Sequence, residues 1–254
     1  MHLFYTPDID TTLELPEEEA AHALRVLRLK ADDEVMLTDG TGRFFHAAID
    51  TISGKHCQVR IVDTVTPQRQ WRGHLTLAFA PTKNMDRVEW MVEKATEIGI
   101  DTFALLECRY SERRVVKTER LEKIVVAAMK QSLKPWKPAV TEMMPFEQFV
   151  RQPFQGQRFI AHCYSEQELA AGAENEADRS LSYRETDFRC DLQSALDRDG
   201  NVLVMVGPEG DFSIDEVRLA LSLGFRSVSL GRSRLRTETA ALVAAHLMNL
   251  AHTY

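Results

Sequence analysis

The 254-residue sequence has no apolar run near the roughly twenty residues that a membrane-spanning helix needs. Its N-terminus, MHLFYTPDID, lacks the basic-then-apolar order of a secretory signal, so a cytoplasmic, unprocessed protein is expected. Cysteine is scarce. Cys57, Cys108, Cys163 and Cys190 lie 27 to 55 positions apart with no CxxC pair, which argues against a zinc ribbon or a disulfide framework. The eight histidines form no HExxH or HxH arrangement, and no metal is expected. No GxGxxG follows a predicted strand, no GxxxxGK[ST] occurs, and no GxSxG occurs. Rossmann cofactors, P-loop nucleotides and α/β-hydrolase chemistry therefore lack their usual machinery.

What is present is a globular composition, 44% apolar and 27% charged, long enough for one large domain or a large one with a small one. The net charge of −7 argues on its face against a nucleic-acid partner, but the distribution is uneven. Residues 109–137 hold nine Lys/Arg against three Glu, and 218–236 hold five Arg and no acid. Residues 164–201 hold ten acids against four Arg and supply most of the negative total. A charge run can be a solvated face as readily as a binding surface.

The chain changes character near residue 70. Pro16-Glu-Glu-Glu19 opens a predicted amphipathic helix to residue 29, followed by alternating strands around Glu34–Thr38, Phe45–Ile49 and Cys57–Ile61 with turns at Asp39–Gly42 and Ser53-Gly54. Polar Thr66–Gln70 reads as a linker, giving domains 1–70 and 71–254. Beyond it strands alternate with helices: strands at Leu75–Ala80, Phe103–Leu106, Phe159–Cys163, Val202–Val206 and Ser227–Leu230, and helices at Asn84–Ile98, Thr118–Leu133, Ser213–Leu223 and Glu238–Leu250. That pattern predicts an α/β fold, a mostly parallel sheet covered on both faces. The polar stretch around 164–198 reads as an inserted surface excursion.

Two segments could carry chemistry. In Val202–Glu216 a buried strand runs into Gly207-Pro208-Glu209-Gly210, and Ser213 with Glu216 forms a capping box that opens a helix. Such turns at the carboxyl ends of strands are where open α/β sheets bind ligands, although a well-capped tight turn is the plain alternative. The strand ending at Leu230 leads into Gly231-Arg-Ser-Arg-Leu-Arg-Thr-Glu-Thr239, placing Arg232, Arg234 and Arg236 ahead of a helix. Three cations in five residues call for an anion nearby, and arginine is poorly placed at a positive helix N-terminus.

Together VGPEGDFSIDEV and LGRSRLRTETAAL, with Lys83–Gly99, Ser111–Val115, His22–Arg28 and Asp39-Gly40, resemble the ribosomal RNA small subunit methyltransferase E family. The likeness covers nearly the whole chain outside 164–198. Ala31-Asp32 and Lys130-Gln131-Ser132 depart from the common family pattern. The resemblance implies a SPOUT-class, trefoil-knotted domain preceded by a PUA-like β-rich domain. It further implies S-adenosylmethionine (SAM) as methyl donor, a homodimer, and methylation of N3 of one uridine of 16S rRNA on the assembled small subunit.

On that reading the cofactor is held by His162, Val206, Gly207, Pro208, Glu209, Gly210, Leu230, Gly231, Leu235, Arg236, Thr237, Glu238, Thr239 and Ala240, with Ala161 closing one side. Arg236, Arg232 and Glu238 are the catalytic candidates, the arginines for the charge that develops on the uracil carbonyls, with Glu238 or Glu209 as base. RNA contact is expected from Arg25, Arg28, Lys83, Arg113, Arg114 and Arg234. A non-catalytic RNA-binding assembly factor and a small-molecule nucleotide enzyme are the competing classes. The apolar face of the last helix, Ala241, Leu242, Ala245, Met248 and Leu250, serves either a dimer interface or the core.

Overall fold

A computed structural model describes residues 2–171 and 189–253. The centre of the acidic excursion, 172–188, lies outside the described residues. The chain divides into two compact units, one of residues 1–69 with 123–137 and one of 70–122 with 138–254.

The first unit is built on a four-stranded sheet. Strand β1 (Leu3–Tyr5) runs parallel to β2 (Glu34–Thr38), which continues antiparallel into β3 (Phe44–Ser53) and β4 (His56–Val65). Alternation places Val35 and Leu37, Phe45, Ala47 and Ile49, and Cys57 and Val59 on one face, where they pack with Phe4, Ile9 and Leu15. Helices α1 (Ile9–Thr12) and α2 (Glu17–Ala21) lie between β1 and β2. The helix expected to residue 29 is interrupted: α2 passes into a π-helical turn, His22–Val26, and Arg28 then adopts a left-handed backbone, φ 57°. Leu27 N–H accordingly bonds back five residues to His22 O, 3.1 Å. The Asp39-Gly40 turn closes the β2–β3 connection. Burial pushes the Asp39 carboxyl up, but hydrogen bonds from Thr41 and Arg43 outweigh it and hold it below the usual carboxylate range.

The second unit contains an all-parallel sheet. In chain order its elements are β5 (Leu75–Phe79), α3 (Met85–Ile98), β6 (Thr102–Glu107), the start of α4 (Thr118–Gln131), β7 (Ala139–Val140), β8 (Met144–Pro145), α5 (Phe146–Val150), β9 (Gln157–Ala161), α6 (Glu166–Ala171), β10 (Cys190–Asp191), α7 (Leu192–Ala195), β11 (Val202–Val206), α8 (Ile214–Ser222), β12 (Arg226–Ser229) and α9 (Thr237–His252). The strand order is β10-β12-β9-β11-β5-β6-β7, with β8 also pairing β6. Every residue of β5 and β11 is buried, as a sheet covered on both faces requires. Ala78, Ala104, Ile160, Leu203 and Met205 face Phe146, Phe212, Ile214 and Val217 on the side of α5 and α8. Helices α3 and α9 pack together, and α9 also lies against β5 and β11. Ala241, Ala245 and Met248 are thus core residues, while Leu250 is 55% exposed.

Residues 123–137 differ from the expected division, which gave them to the larger domain. They group with the first unit because their polar atoms are satisfied there: Lys130 Nζ meets both Glu19 carboxylate oxygens at 2.6 and 2.8 Å, and Gly42 N–H donates to Pro135 O at 2.8 Å. The basic run 109–137 is therefore divided between the units. Much of it is ion-paired, Arg120 with Glu89, Lys123 with Glu18 and Lys130 with Glu19.

Candidate functional site: loops at three adjacent strand ends

Strands β11, β9 and β12 end side by side, Val206 in register with Ala161 and Ala161 with Val228. Each passes at its carboxyl end into a loop, so three loops converge on the edge where parallel sheets place ligands. The strand predicted as Phe159–Cys163 stops at Ala161, which frees His162 and Cys163 for the middle loop.

After β11 the chain turns sharply. Val206, Gly207 and Pro208 are buried, and Asp211 N–H closes a turn onto Pro208 O at 2.9 Å. A Cβ on Gly207 would lie 2.9 Å from Phe212 N and 3.1 Å from its ring, so only glycine lets the loop fold back this tightly. Gly210 abuts Tyr110, with 3.1 Å from a built Cβ to the tyrosine Cβ. The Ser213–Glu216 capping box is formed, with reciprocal bonds of 3.3 and 2.8 Å that fix the start of α8.

The middle loop holds its histidine in one tautomer. Tyr164 N–H donates to His162 Nδ1 at 3.2 Å, which leaves Nε2 to carry the proton toward Ser227 Oγ at 2.8 Å. The ring is buried, and Arg189 donates to the His162 carbonyl. Tyr164 Oη reaches across to Phe212 O at 2.7 Å, joining this loop to the one after β11.

The loop after β12 is open by comparison. Ser229 Oγ accepts from Gly231 N–H at 3.2 Å, and Gly231 has φ 121° with nothing within 4 Å of a built Cβ. Arg232, Arg234 and Arg236 are all exposed, while Leu230 ahead of them and Leu235 among them are half-buried. Arg236 is the N-cap of α9 and supplies no side-chain cap. Thr237 and Glu238 are buried in the first turn, Thr239 is exposed and Ala240 half-buried. No ion pair or hydrogen bond of the Arg232 or Arg236 guanidinium occurs among the described residues.

The two candidate bases are each held by a neighbour. Glu238 Oε1 lies 3.3 Å from Arg87 Nη1, and Glu209 Oε1 accepts the Lys83 backbone N–H at 2.9 Å. Lys83 Nζ itself pairs with Glu112 at 3.0 Å. Arg113 caps the loop after β5 by donating to Thr82 O and Lys83 O at 3.2 and 2.6 Å, while Arg114 lies 3.4 Å from Glu107. Thus Lys83 and Arg113 are tied to the glycine turn through Glu209. Arg25 and Arg28 belong to the other unit, both exposed; Arg25 lies in the π-helical turn and Arg28 beyond it with a left-handed backbone.

Sequence reading passed over Asp211, Tyr164, Ser227 and Arg87. Asp211 alone carried a signal: aspartate is one of the few non-glycine residues that visits the left-handed region at all, and here it follows Gly210 with φ 67°. Among the described residues no group of three or more His, Cys, Asp or Glu is arranged to hold a metal ion. No helix among them is long and apolar enough to cross a membrane.

Comparison with known proteins agrees with this geometry. Residues 69–249 match the RNA methyltransferase domain family, and residues 15–62 match the RNA methyltransferase PUA domain family. A probable rRNA-methyltransferase from Porphyromonas gingivalis is 42% identical with a TM-score of 0.86, covering 99% of this chain and 98% of that one. Ribosomal RNA small subunit methyltransferase E from Neisseria gonorrhoeae, solved bound to S-adenosyl methionine, is 25% identical with a TM-score of 0.79 over 98% and 97% of the two chains. The ribosomal RNA small subunit methyltransferase E of Synechocystis sp. is 29% identical over 95% of this chain and 74% of its own. With both of its domains matched and its strand-end loops in this arrangement, the chain belongs to the ribosomal RNA small subunit methyltransferase E family.

Proposed function

We propose that this protein transfers a methyl group from SAM to N3 of one uridine in 16S rRNA on the assembled small subunit, as a cytoplasmic homodimer with its last elements threaded into a trefoil knot. The observation that carries the reading is the set of loops at the ends of β11, β9 and β12: a tight glycine turn beside an exposed arginine loop. These residues fit SAM. Its adenosine part needs backbone donors and acceptors at close range, which Val206–Gly210, Leu230 and Leu235–Ala240 supply, and half-buried Leu230 and Leu235 offer apolar contact. When bound, SAM supplies an electrophilic methyl on a sulfonium, so the chain need only position, desolvate and stabilise charge.

Loss of the N3 proton leaves negative charge spread over the two uracil carbonyls. Arg232 and Arg236, both exposed in the loop after β12, are the groups assigned here to meet it. Glu238, buried and paired with Arg87, orients the first turn of α9 and is the remaining candidate to accept the proton. Arg234, Lys83, Arg113 and Arg114 ring the same edge and suit phosphate contact, and Arg25 and Arg28 offer a second set on the N-terminal unit.

The test is transfer of labelled methyl from SAM to small subunits lacking the modification, and to bare 16S rRNA, followed by digestion to nucleosides. Label recovered as 3-methyluridine from the subunits is expected. Label in another nucleoside, or none with folded protein that binds the subunit, rejects the reading in favour of a different specificity or a non-catalytic RNA binder.

A further inference from the structure

Of the four carboxylates between β11 and the first turn of α8, three, Glu209, Asp211 and Glu216, each accept a backbone N–H from the loop that follows a different strand. Glu209 takes Lys83 N–H after β5 at 2.9 Å, Glu216 takes Arg109 N–H after β6 at 2.8 Å, and Asp211 takes Cys163 N–H after β9 at 2.8 Å. The glycine turn is thereby fixed to three other strand ends by charge-assisted hydrogen bonds, roughly twice as strong as neutral ones.

Asp211 differs from the other two. Its backbone is left-handed, φ 67°, a conformation that costs a non-glycine residue energy. Its second carboxylate oxygen, Oδ1, accepts Phe212 N–H at 2.7 Å, from the same nitrogen that a Cβ at Gly207 would approach to 2.9 Å. One carboxylate therefore holds both the exit of the glycine turn and the middle loop that carries His162. The backbone strain persists because these bonds over-determine the position. Cys163, whose N–H is held, lies within the field of the same carboxylate. Burial, then the Asp211 charge, pushes its thiol up to about 11.

We infer that Asp211 is a positioning residue for the cofactor: its carboxylate sets the spacing between the loops after β11 and β9, and so governs affinity for SAM rather than the rate of transfer from bound SAM. The inference rests on the SAM reading given above. Asp211 touches no reacting atom; it acts through the backbone of Gly207–Phe212 and His162–Tyr164.

The full-length Asp211→Gly and Asp211→Asn proteins test it. Glycine is at ease at φ 67°, so that variant folds and relieves the strain while deleting both acceptors. Asparagine keeps the shape but turns an N–H donor toward a backbone N–H. Both are expected to raise Kd and KM for SAM by roughly tenfold or more, the size of losing charge-assisted bonds, with kcat at saturating SAM within about threefold of wild type. Both are also expected to alkylate faster at Cys163 in the absence of SAM, because the carboxylate that disfavours the thiolate is gone. An Asp211→Gly protein that binds SAM like wild type overturns the inference, and so does a fall in kcat with KM unchanged or a parallel loss of SAM and RNA binding with a large drop in Tm. A wild-type protein that binds no SAM instead rejects the cofactor reading, and the inference with it.

Discussion

The two glycine loops at the sheet edge are built in opposite ways. The turn Gly207–Gly210 is buried at its start, closed by a backbone bond from Asp211 to Pro208 and bound to neighbouring strand ends through acidic side chains. The loop Gly231–Arg236 is exposed, carries three arginines and is closed by little more than the Ser229 hydroxyl on Gly231. The first has no spare room for a methyl group at Gly207, and the second has nothing within 4 Å of one at Gly231. Such a difference suits a division of labour: a rigid cradle for a small, invariant ligand, and a solvent-facing set of cations for a polyanion whose charge must be met from outside. It also shows that a glycine in sequence says little until its surroundings are known.

Matched substitutions test the contrast most strongly. Gly207→Ala forces Phe212 to shift, and a displacement of that kind at a cofactor site is expected to lower kcat/KM for SAM by about 100-fold or more. Gly231→Ala meets only backbone strain at φ 121° and is expected to stay within about tenfold. Steady-state kinetics on small subunits compares the two, and equal losses would erase the distinction.

Next in size is Arg236→Ala. Its exposed guanidinium is expected to contribute about 30-fold to kcat, less than a buried oxyanion donor does, with Kd for SAM within about threefold. A normal kcat would remove Arg236 from the charge-stabilising role. Replacing Arg232, Arg234 and Arg236 together is expected to flatten the slope of log K for RNA against log salt by about 2 if all three meet phosphates or the substrate's charge. An unchanged slope would return them to solvated surface.

The smallest effect lies between the loops, at Cys163. Its folded pKa is raised, so the reactive thiolate is the minor form below about 11. The thiolate is thus a small minority near neutral pH, and iodoacetamide labelling should climb steadily from pH 9 toward 11. Labelling that levels off near pH 9 would mean that the loop after β9 is not packed against Asp211 as described.

The large elements were legible because their signals are local. The periodic burial of Val88, Met91, Val92 and Ala95 marks α3, and the unbroken apolar run Val202–Val206 marks a strand buried on both faces. The two glycine loops were legible from the strands and caps that bracket them. What escaped depends on partners distant in sequence. Strand β1, only three residues, exists because it pairs with β2, and β10 exists because it pairs with β12. The π-helical turn at His22–Val26 leaves no mark in an otherwise good helical pattern, and it separates Arg25 from Arg28. Within the site, Arg113 was legible as a cation but not as the cap on the carbonyls of Thr82 and Lys83. Glu238 was legible as a helix-start acid but not as the partner of Arg87, 151 positions away.

Calorimetric titration with SAM of three proteins, the wild type, Gly207→Trp and the triple alanine replacement of Arg232, Arg234 and Arg236, tests the division of labour most directly. Binding is expected for wild type, binding within about threefold of it for the arginine variant, and none for Gly207→Trp. Loss of SAM binding in the arginine variant with binding retained by Gly207→Trp would contradict that division, because the arginine side chains and not the closed turn would then hold the cofactor.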